Sequence, residues 1–179
     1  MALFSTLNGI LGAGNVPISF EFIDYDTAQI AVGNTTKDIT LSSTLPSLSD
    51  AIAFINGHDP LATGNTDNGA IVTLTSATNV RLTRTFADVS ASIRVGIVIM
   101  QFPTGSIRSK QNVTIVGQGA ASISAVDTSK SIILPTGYNG TNTFNNIGST
   151  AKFNSSTEIG NQASPSSGVN YGYLVVETN

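Results

Sequence analysis

The chain has 179 residues, a length that suits one large domain or two small ones. Charged residues make up only 11%, against about 25% in an ordinary soluble domain, and Ser, Thr, Asn and Gly take their place. With a net charge of −3 and scattered Lys and Arg there is no basic face for nucleic acid, the lack of cysteine excludes disulfides and thiolate metal sites, one histidine cannot form a cluster, and no apolar run approaches the about 18 residues of a membrane helix.

Residues 1–16 carry Leu3, Phe4, Leu7, Ile10 and Leu11, a helical spacing of apolar side chains that Gly9, Gly12 and Gly14 weaken. The segment lacks the basic start of a signal peptide and is expected to be retained. It reads as an arm that packs on its own domain or docks on a neighbouring subunit. Docking is the reading carried forward, because these five side chains are a large apolar load outside the repeated part of the chain, and they are the candidate assembly contacts. The run Gly9-Ile10-Leu11-Gly12-Ala13-Gly14 is not a nucleotide loop, since no strand precedes it and no Lys-Ser/Thr follows.

Residues 17–102 read as a first β-unit. The alternation over 17–23 predicts a strand. Glu21, Asp24 and Asp26 lie close together but lack the spacing and glycine of a calcium loop, so they are expected to be a solvated strand end. Residues 28–33 and 38–41 predict strands around an Asn34-Thr35-Thr36 turn. Ser47 to Asp50 offer N-cap chemistry to a helical turn. Residues 51–55 fit that turn or a buried strand, and the strand is favoured because the matching later segment contains Ile132, Ile133 and Pro135. A loop is expected over 58–69, strands over 71–75 and 79–85, and a turn over 87–92. Residues 93–102 are almost continuously apolar, as in a strand buried on both faces. Polar residues 103–110 read as a linker. Residues 111–179 read as a second β-unit with strands over 112–117, 120–126, 131–134, 151–154, 157–161 and 169–177, a loop over 138–148 and another over 162–168.

The two units echo each other. Ser49-Asp50-Ala51-Ile52-Ala53-Phe54-Ile55-Asn56-Gly57-His58 aligns with Ser129-Lys130-Ser131-Ile132-Ile133-Leu134-Pro135-Thr136-Gly137-Tyr138. Residues 73–80 align with 152–159, and 93–99 with 169–175, at offsets that drift from 80 to 79 to 76. Short strands about 8–12 residues apart with turn residues between them point to sandwiches or barrels. The fold expected is therefore all-β: two tandem, duplicated β-sandwich-like units with a short N-terminal arm.

No chemistry is marked. A nucleophilic triad needs a base, and the one histidine, His58, aligns with Tyr138, a position for a packed ring. Glu21, Glu158 and Glu177 are the only glutamates, and nothing marks a carboxylate pair over a cleft. No catalytic, cofactor-binding or metal residue is assigned.

Residues 120–131, Ala120-Ala121-Ser122-Ile123-Ser124-Ala125-Val126-Asp127-Thr128-Ser129-Lys130-Ser131, resemble a pattern frequent in tailed-bacteriophage virion proteins, in which a strand passes through a V-D/N-T-x-K-S turn into the next strand. Ser155-Ser156-Thr157-Glu158-Ile159 and the ending Val175-Val176-Glu177 are similar to the strands that follow it. The resemblance covers most of 111–179 and the first unit more loosely, where Asp50 replaces the Lys and Met100-Gln101 the closing Val-Glu. It implies a non-enzymatic protein in a virion, of the capsid decoration or cement type, with major capsid or tail proteins as partners and a homo-oligomeric state, a trimer by the same resemblance. The alternative is a tail-fibre, neck or receptor-binding adaptor. A small carbohydrate hydrolase ranks last.

Overall fold

The computed structural model describes residues 17–24, 26–60, 69–84, 92–140, 151–161 and 168–179. Its fold is all-β, and every paired strand is antiparallel. In the first half the strands are β1 (Ser19–Ile23), β2 (Gln29–Ile30), β3 (Thr36–Thr40), β4 (Ala51–Pro60), β5 (Ile71–Ser76), β6 (Asn79–Thr83) and β7 (Ile93–Gln101). In the second half they are β8 (Ile107–Val116), β9 (Ala120–Ser122), β10 (Ser131–Gly140), β11 (Ala151–Ser155), β12 (Glu158–Asn161) and β13 (Val169–Thr178), with one 3-10 turn at Thr128–Lys130.

Each half builds two small sheets. β7 lies between β1 and β4, and β6 between β3 and β5; β13 lies between β8 and β10, and β12 between β9 and β11. The first pair of sheets encloses Ile23, Ala53, Val72, Val80, Leu82, Val95, Ile97 and Ile99. The second encloses Val113, Ile115, Ile159, Tyr171, Tyr173 and Val175. A third core lies between the halves, where Ile52, Phe54, Val98 and Met100 meet Leu134, Leu174 and Val176, with Phe102 and Ile107 in the same cluster. Strand periodicity explains why β7 is apolar on both sides: Ile93, Val95, Ile97 and Ile99 face the first core, and Val98 and Met100 the third. In β13 the odd residues from Tyr171 to Val175 face the second core, and Leu174 and Val176 face the third.

The halves share their pairing details. Gly57 stands opposite Gly96, just past a register shift after Ile55; Gly137 stands opposite Gly172, just past one after Pro135. Both β5–β6 and β11–β12 close through two residues, after register shifts at Leu74/Ser76 and Phe153/Ser155. Favoured two-residue hairpins need positive φ, yet no described non-glycine residue has it; the bulge supplies the twist instead. A serine hydroxyl accepts from the turn in each, Thr78 N–H to Ser76 Oγ at 3.2 Å and Thr157 N–H to Ser155 Oγ at 3.1 Å.

Strand β5 also joins the second half. Ile71 stands opposite Gly137, which links β3–β6–β5 to β10–β13–β8 as one six-stranded sheet. The approach requires glycine: at Gly137, with φ +128°, a Cβ would sit 2.0 Å from the Ala70 carbonyl oxygen, and at Gly172 it would sit 2.8 Å from Ile71 Cγ2.

Several expected boundaries are corrected. His58 to Pro60 continue β4 instead of opening a loop, because β7 offers partners as far as Ile93. β10 runs on past residue 134 to Gly140, with Pro135 tolerated beside the register shift. Residues 51–55 form the favoured strand, as part of β4, so Ser47 to Asp50 cap no helical turn. β8 starts at Ile107, inside the expected linker 103–110, since Ile107 already pairs with Thr178. Of residues 120–126 only Ala120–Ser122 form a strand; beyond it, the Ile123 and Val126 amides donate to the Thr157 and Ser156 carbonyls of the β11–β12 turn at 2.9 and 3.0 Å. Leu3, Phe4, Leu7, Ile10 and Leu11 lie outside the described residues, as do residues 61–68, 87–91, 141–148 and 162–167 of the loops and turn expected at 58–69, 87–92, 138–148 and 162–168.

Two outcomes follow from this packing. Ile97→Ala and Leu174→Ala each empty a buried site and are expected to cost about 2–5 kcal/mol in chemical denaturation; a loss under about 1 kcal/mol at both would contradict the burial of β7 and β13. The second concerns Glu21 and Gln111, which face Ile99 and Val175 in the matched sheets. Glu21 Oε1 accepts from Ser42 N–H at 2.7 Å, as Gln111 Oε1 does from Ser124 N–H at 2.6 Å, but only the amide also donates, to Ser124 O at 3.1 Å. Glu21 Oε2 is buried with no partner among the described residues. Glu21→Gln should therefore raise stability, by about 0.5–1.5 kcal/mol; a loss of about 1 kcal/mol or more would show that the carboxylate is needed.

Candidate functional site

The polar residues singled out from the sequence are dispersed. Asp24 accepts from Thr27 N–H at 2.8 Å, which with the Thr27 hydroxyl holds its carboxyl below the usual range. Asp26 pairs with Arg94 at 2.8 Å, and Glu21 points to Ser42. Among the described residues no three His, Asp or Glu side chains converge on one point. His58 stands opposite Val95 and Tyr138 opposite Tyr171, each beside its glycine pair. Burial, and then the neighbouring Tyr171, push the Tyr138 hydroxyl far up, so it stays neutral.

The three segments that carry the phage resemblance converge on structural work. Asp127 caps the 3-10 turn, its carboxylate accepting from Ser129 N–H at 3.0 Å and Ser129 Oγ at 2.6 Å. Glu177, at the end of β13, accepts from Asp127 N–H at 2.9 Å, from Ser109 Oγ at 3.1 Å and from Arg108 Nη1 at 3.2 Å. Val126 N–H reaches Ser156 of the third segment. Gln101 fills the matching place in the first half: its Nε2 donates to the Asp50 and Phe102 carbonyls at 3.2 and 2.8 Å, and its Oε1 accepts from Ser47 N–H at 3.5 Å.

A polar seam joins the halves at the mouth of the third core. Buried Asp50 accepts from Ile107 N–H at 3.0 Å, Ser47 Oγ at 2.7 Å and Ser49 Oγ at 3.2 Å. Burial alone would raise its carboxyl, but these donors and the Gly105 amide outweigh it and hold the group ionised below the ordinary range. From β8, Lys110 Nζ donates to the Leu48 carbonyl and, at 2.7 Å, to the Ala51 carbonyl. Desolvation pulls the lysine pKa down while the Asp50 charge opposes the shift. The adjoining cleft, lined by Ile52, Leu74, Lys110, Asn112 and Leu174 among others, holds about 80 Å³. Small-molecule sites run to about 300–1,000 Å³, so this seam is a joint between halves.

The feature that points outward is strand β1. Glu21 and Ile23 face the first core, so Phe20 and Phe22 lie on the opposite face, across from Met100 and Val98 of the third core. Phe22 is 69% exposed, Ile18 62% and Phe20 42%. The places of Phe20 and Phe22 are taken on β8 by Lys110 and Asn112, by the matched pairing of β1 with β7 and of β8 with β13. The candidate assembly contacts read from the sequence, Leu3, Phe4, Leu7, Ile10 and Leu11, lie outside the described residues, and the sequence did not single out Ile18, Phe20 and Phe22. Their alternation was visible, but alternation does not say which face is covered. Compared with protein-family models, with curated proteins and with solved structures, the chain matches none.

Asp50 gives a pH prediction. Its pKa is lowered in the folded state, so its stabilisation is complete above the unfolded-state pKa and is lost as pH falls through the folded value. Asp50→Asn should cost about 1–3 kcal/mol at pH 7 and should flatten the stability loss below about pH 4. An unchanged acid limb in the variant would contradict this role.

Proposed function

We propose that the chain is a non-enzymatic structural protein of a bacteriophage virion, of the capsid decoration or cement type, built from two copies of one β-unit and docking on the particle as a homo-oligomer. The observation that carries the assembly reading is the apolar strip on β1. Three of the exposed large hydrophobic residues, Ile18, Phe20 and Phe22, stand together on one edge strand that the chain enters directly from residues 1–16. An exposed apolar patch of this kind marks an interaction surface. The sparse surface charge, 11% of residues, permits such association.

Two further lines support the reading. The resemblance of residues 111–179 to tailed-phage virion domains supplies the particle, its major capsid or tail proteins as partners, and threefold symmetry as the expected oligomer. The shared pairing of β1–β7–β4 with β8–β13–β10, and of β3–β6–β5 with β9–β12–β11, supports an internal duplication. The acidic side chains described above, Asp24, Asp50, Asp127 and Glu177, serve turns and strand ends, which favours a scaffold over a reaction centre.

The test is the number of copies of this chain per purified particle of the source phage, by quantitative mass spectrometry against the major capsid protein. Hundreds of copies are expected for a decoration protein. A few to a few dozen would favour the tail-fibre, neck or receptor-binding adaptor, and none would overturn the virion reading.

A further inference from the structure

Ile18, at the entry of β1, is 62% exposed, and Phe22, near its end, is 69% exposed. Phe20, between them, has an interaction of its own and is left out of the site. The matched place on β8 shows how the fold treats such a position when it is closed within the chain. Phe22 stands opposite Val98, and Asn112 stands opposite Leu174, with Val98 and Leu174 both in the third core. Asn112 lines the small cleft beside that core together with Leu48, Ala51 and Lys110. Lys110 carries the closure across to the first half through the Leu48 and Ala51 carbonyls. On β1 the corresponding place holds a phenylalanine that stays mostly in solvent.

We infer that Ile18 and Phe22 receive residues 1–16 of a second copy of this chain, so that each copy lays its N-terminal segment on the β1 face of the next. This rests on the homo-oligomeric reading above and names its contact. Three observations select the occupant. The segment ends at the site: residues 1–16 run into Pro17 and Ile18, and the Ile18 N–H donates to the Gln101 carbonyl at 2.7 Å, which anchors the point where the segment joins the fold. Its chemistry matches the site: residues 1–16 contain no Asp, Glu, Lys or Arg and carry Leu3, Phe4, Leu7, Ile10 and Leu11. Its length suffices, since 16 residues span up to about 50 Å when extended, several times the about 13 Å between residues 18 and 22 of a strand.

A second copy is favoured over the segment's own chain for two reasons. Pro17 disfavours a sharp reversal at the residue before it, and in the single chain Ile18 and Phe22 are still exposed. A contact between a segment and a face joins two different surfaces. Such a contact closes as a ring of copies and not as a face-to-face pair, in keeping with the threefold symmetry expected of the oligomer.

Light scattering of the full-length wild type should give a mass of more than one chain. Leu7→Lys alters the segment and Phe22→Lys alters the face. Each should weaken association at least about tenfold, a change of about 1.4 kcal/mol, while urea unfolding of each variant stays cooperative. Ile10→Lys and Ile18→Lys form an independent second pair if either variant fails to fold. Mixing is the deciding measurement. The intact segment of the Phe22→Lys chain can dock on the intact face of the Leu7→Lys chain, so the mixture should yield a two-chain species that neither variant forms alone. If neither substitution lowers the mass, if only Phe22→Lys does, or if the mixture yields no two-chain species, the inference is overturned while the homo-oligomeric reading stands. A wild-type mass of one chain overturns both.

Discussion

The structure depends on two strands that have no polar face. β7 presents Val95, Ile97 and Ile99 to one side and Val98 and Met100 to the other; β13 presents Tyr171, Tyr173 and Val175 to one side and Leu174 and Val176 to the other. A strand apolar on both faces must be covered on both faces. Each half can cover only one of them with its own smaller sheet. The remaining faces of β7 and β13 cover each other, and the third core is the result. That core matters energetically, because a unit of well under 100 residues buries too small a fraction of its surface to be secure alone. A fully buried Val, Leu or Met side chain contributes about 1.5–3 kcal/mol, so the shared core adds to both halves at once.

The seam around this core is closed by polar groups that leave few orphans. Asp50, from the first half, takes the first amide of β8, and Lys110, from the second half, takes two carbonyls beside β4. Gln101 and Glu177 close the ends of β7 and β13 by serving neighbouring backbone groups. Burying a polar group without a partner is costly, so the amide and carboxylate side chains at these strand ends serve backbone groups that would otherwise be left unpaired. Gly137 and Gly172 complete the joint, since any side chain there would strike Ala70 or Ile71 and unseat β5.

Much of this was legible in the sequence. The ordered block matches marked β4 with β10 and β7 with β13, and the unbroken apolar run over 93–102 announced burial on both faces. The Ser-x-Thr turns at 76–78 and 155–157 were not legible as such: Ser155 to Ile159 read as a strand pattern, which the structure divides between β11, a turn and β12. What could not be read were features decided by distant partners. Whether Ser47 to Asp50 capped a helical turn rested on Ile107, far along the chain, whose amide takes the Asp50 carboxylate. The starts and ends of β4, β8 and β10 rested on how far the facing strand continued. The outward side of β1 was hidden for a related reason: a period of two groups Ile18, Phe20 and Phe22 on one face, but Glu21 and Ile23 proved to be the inward set. The arm residues Leu3, Phe4, Leu7, Ile10 and Leu11 lie outside the described residues, and the apolar strip begins where those residues end.

The two halves form one folded body through the faces of β7 and β13. Native-state hydrogen exchange measures this directly, because it assigns an opening free energy to each strand. The amides of β7 and β13 are expected to fall in the same, slowest class and to open together with the global unfolding of the chain. Slow exchange in one of these strands with fast, local opening of the other would contradict it, and would mean that the halves fold separately and merely touch.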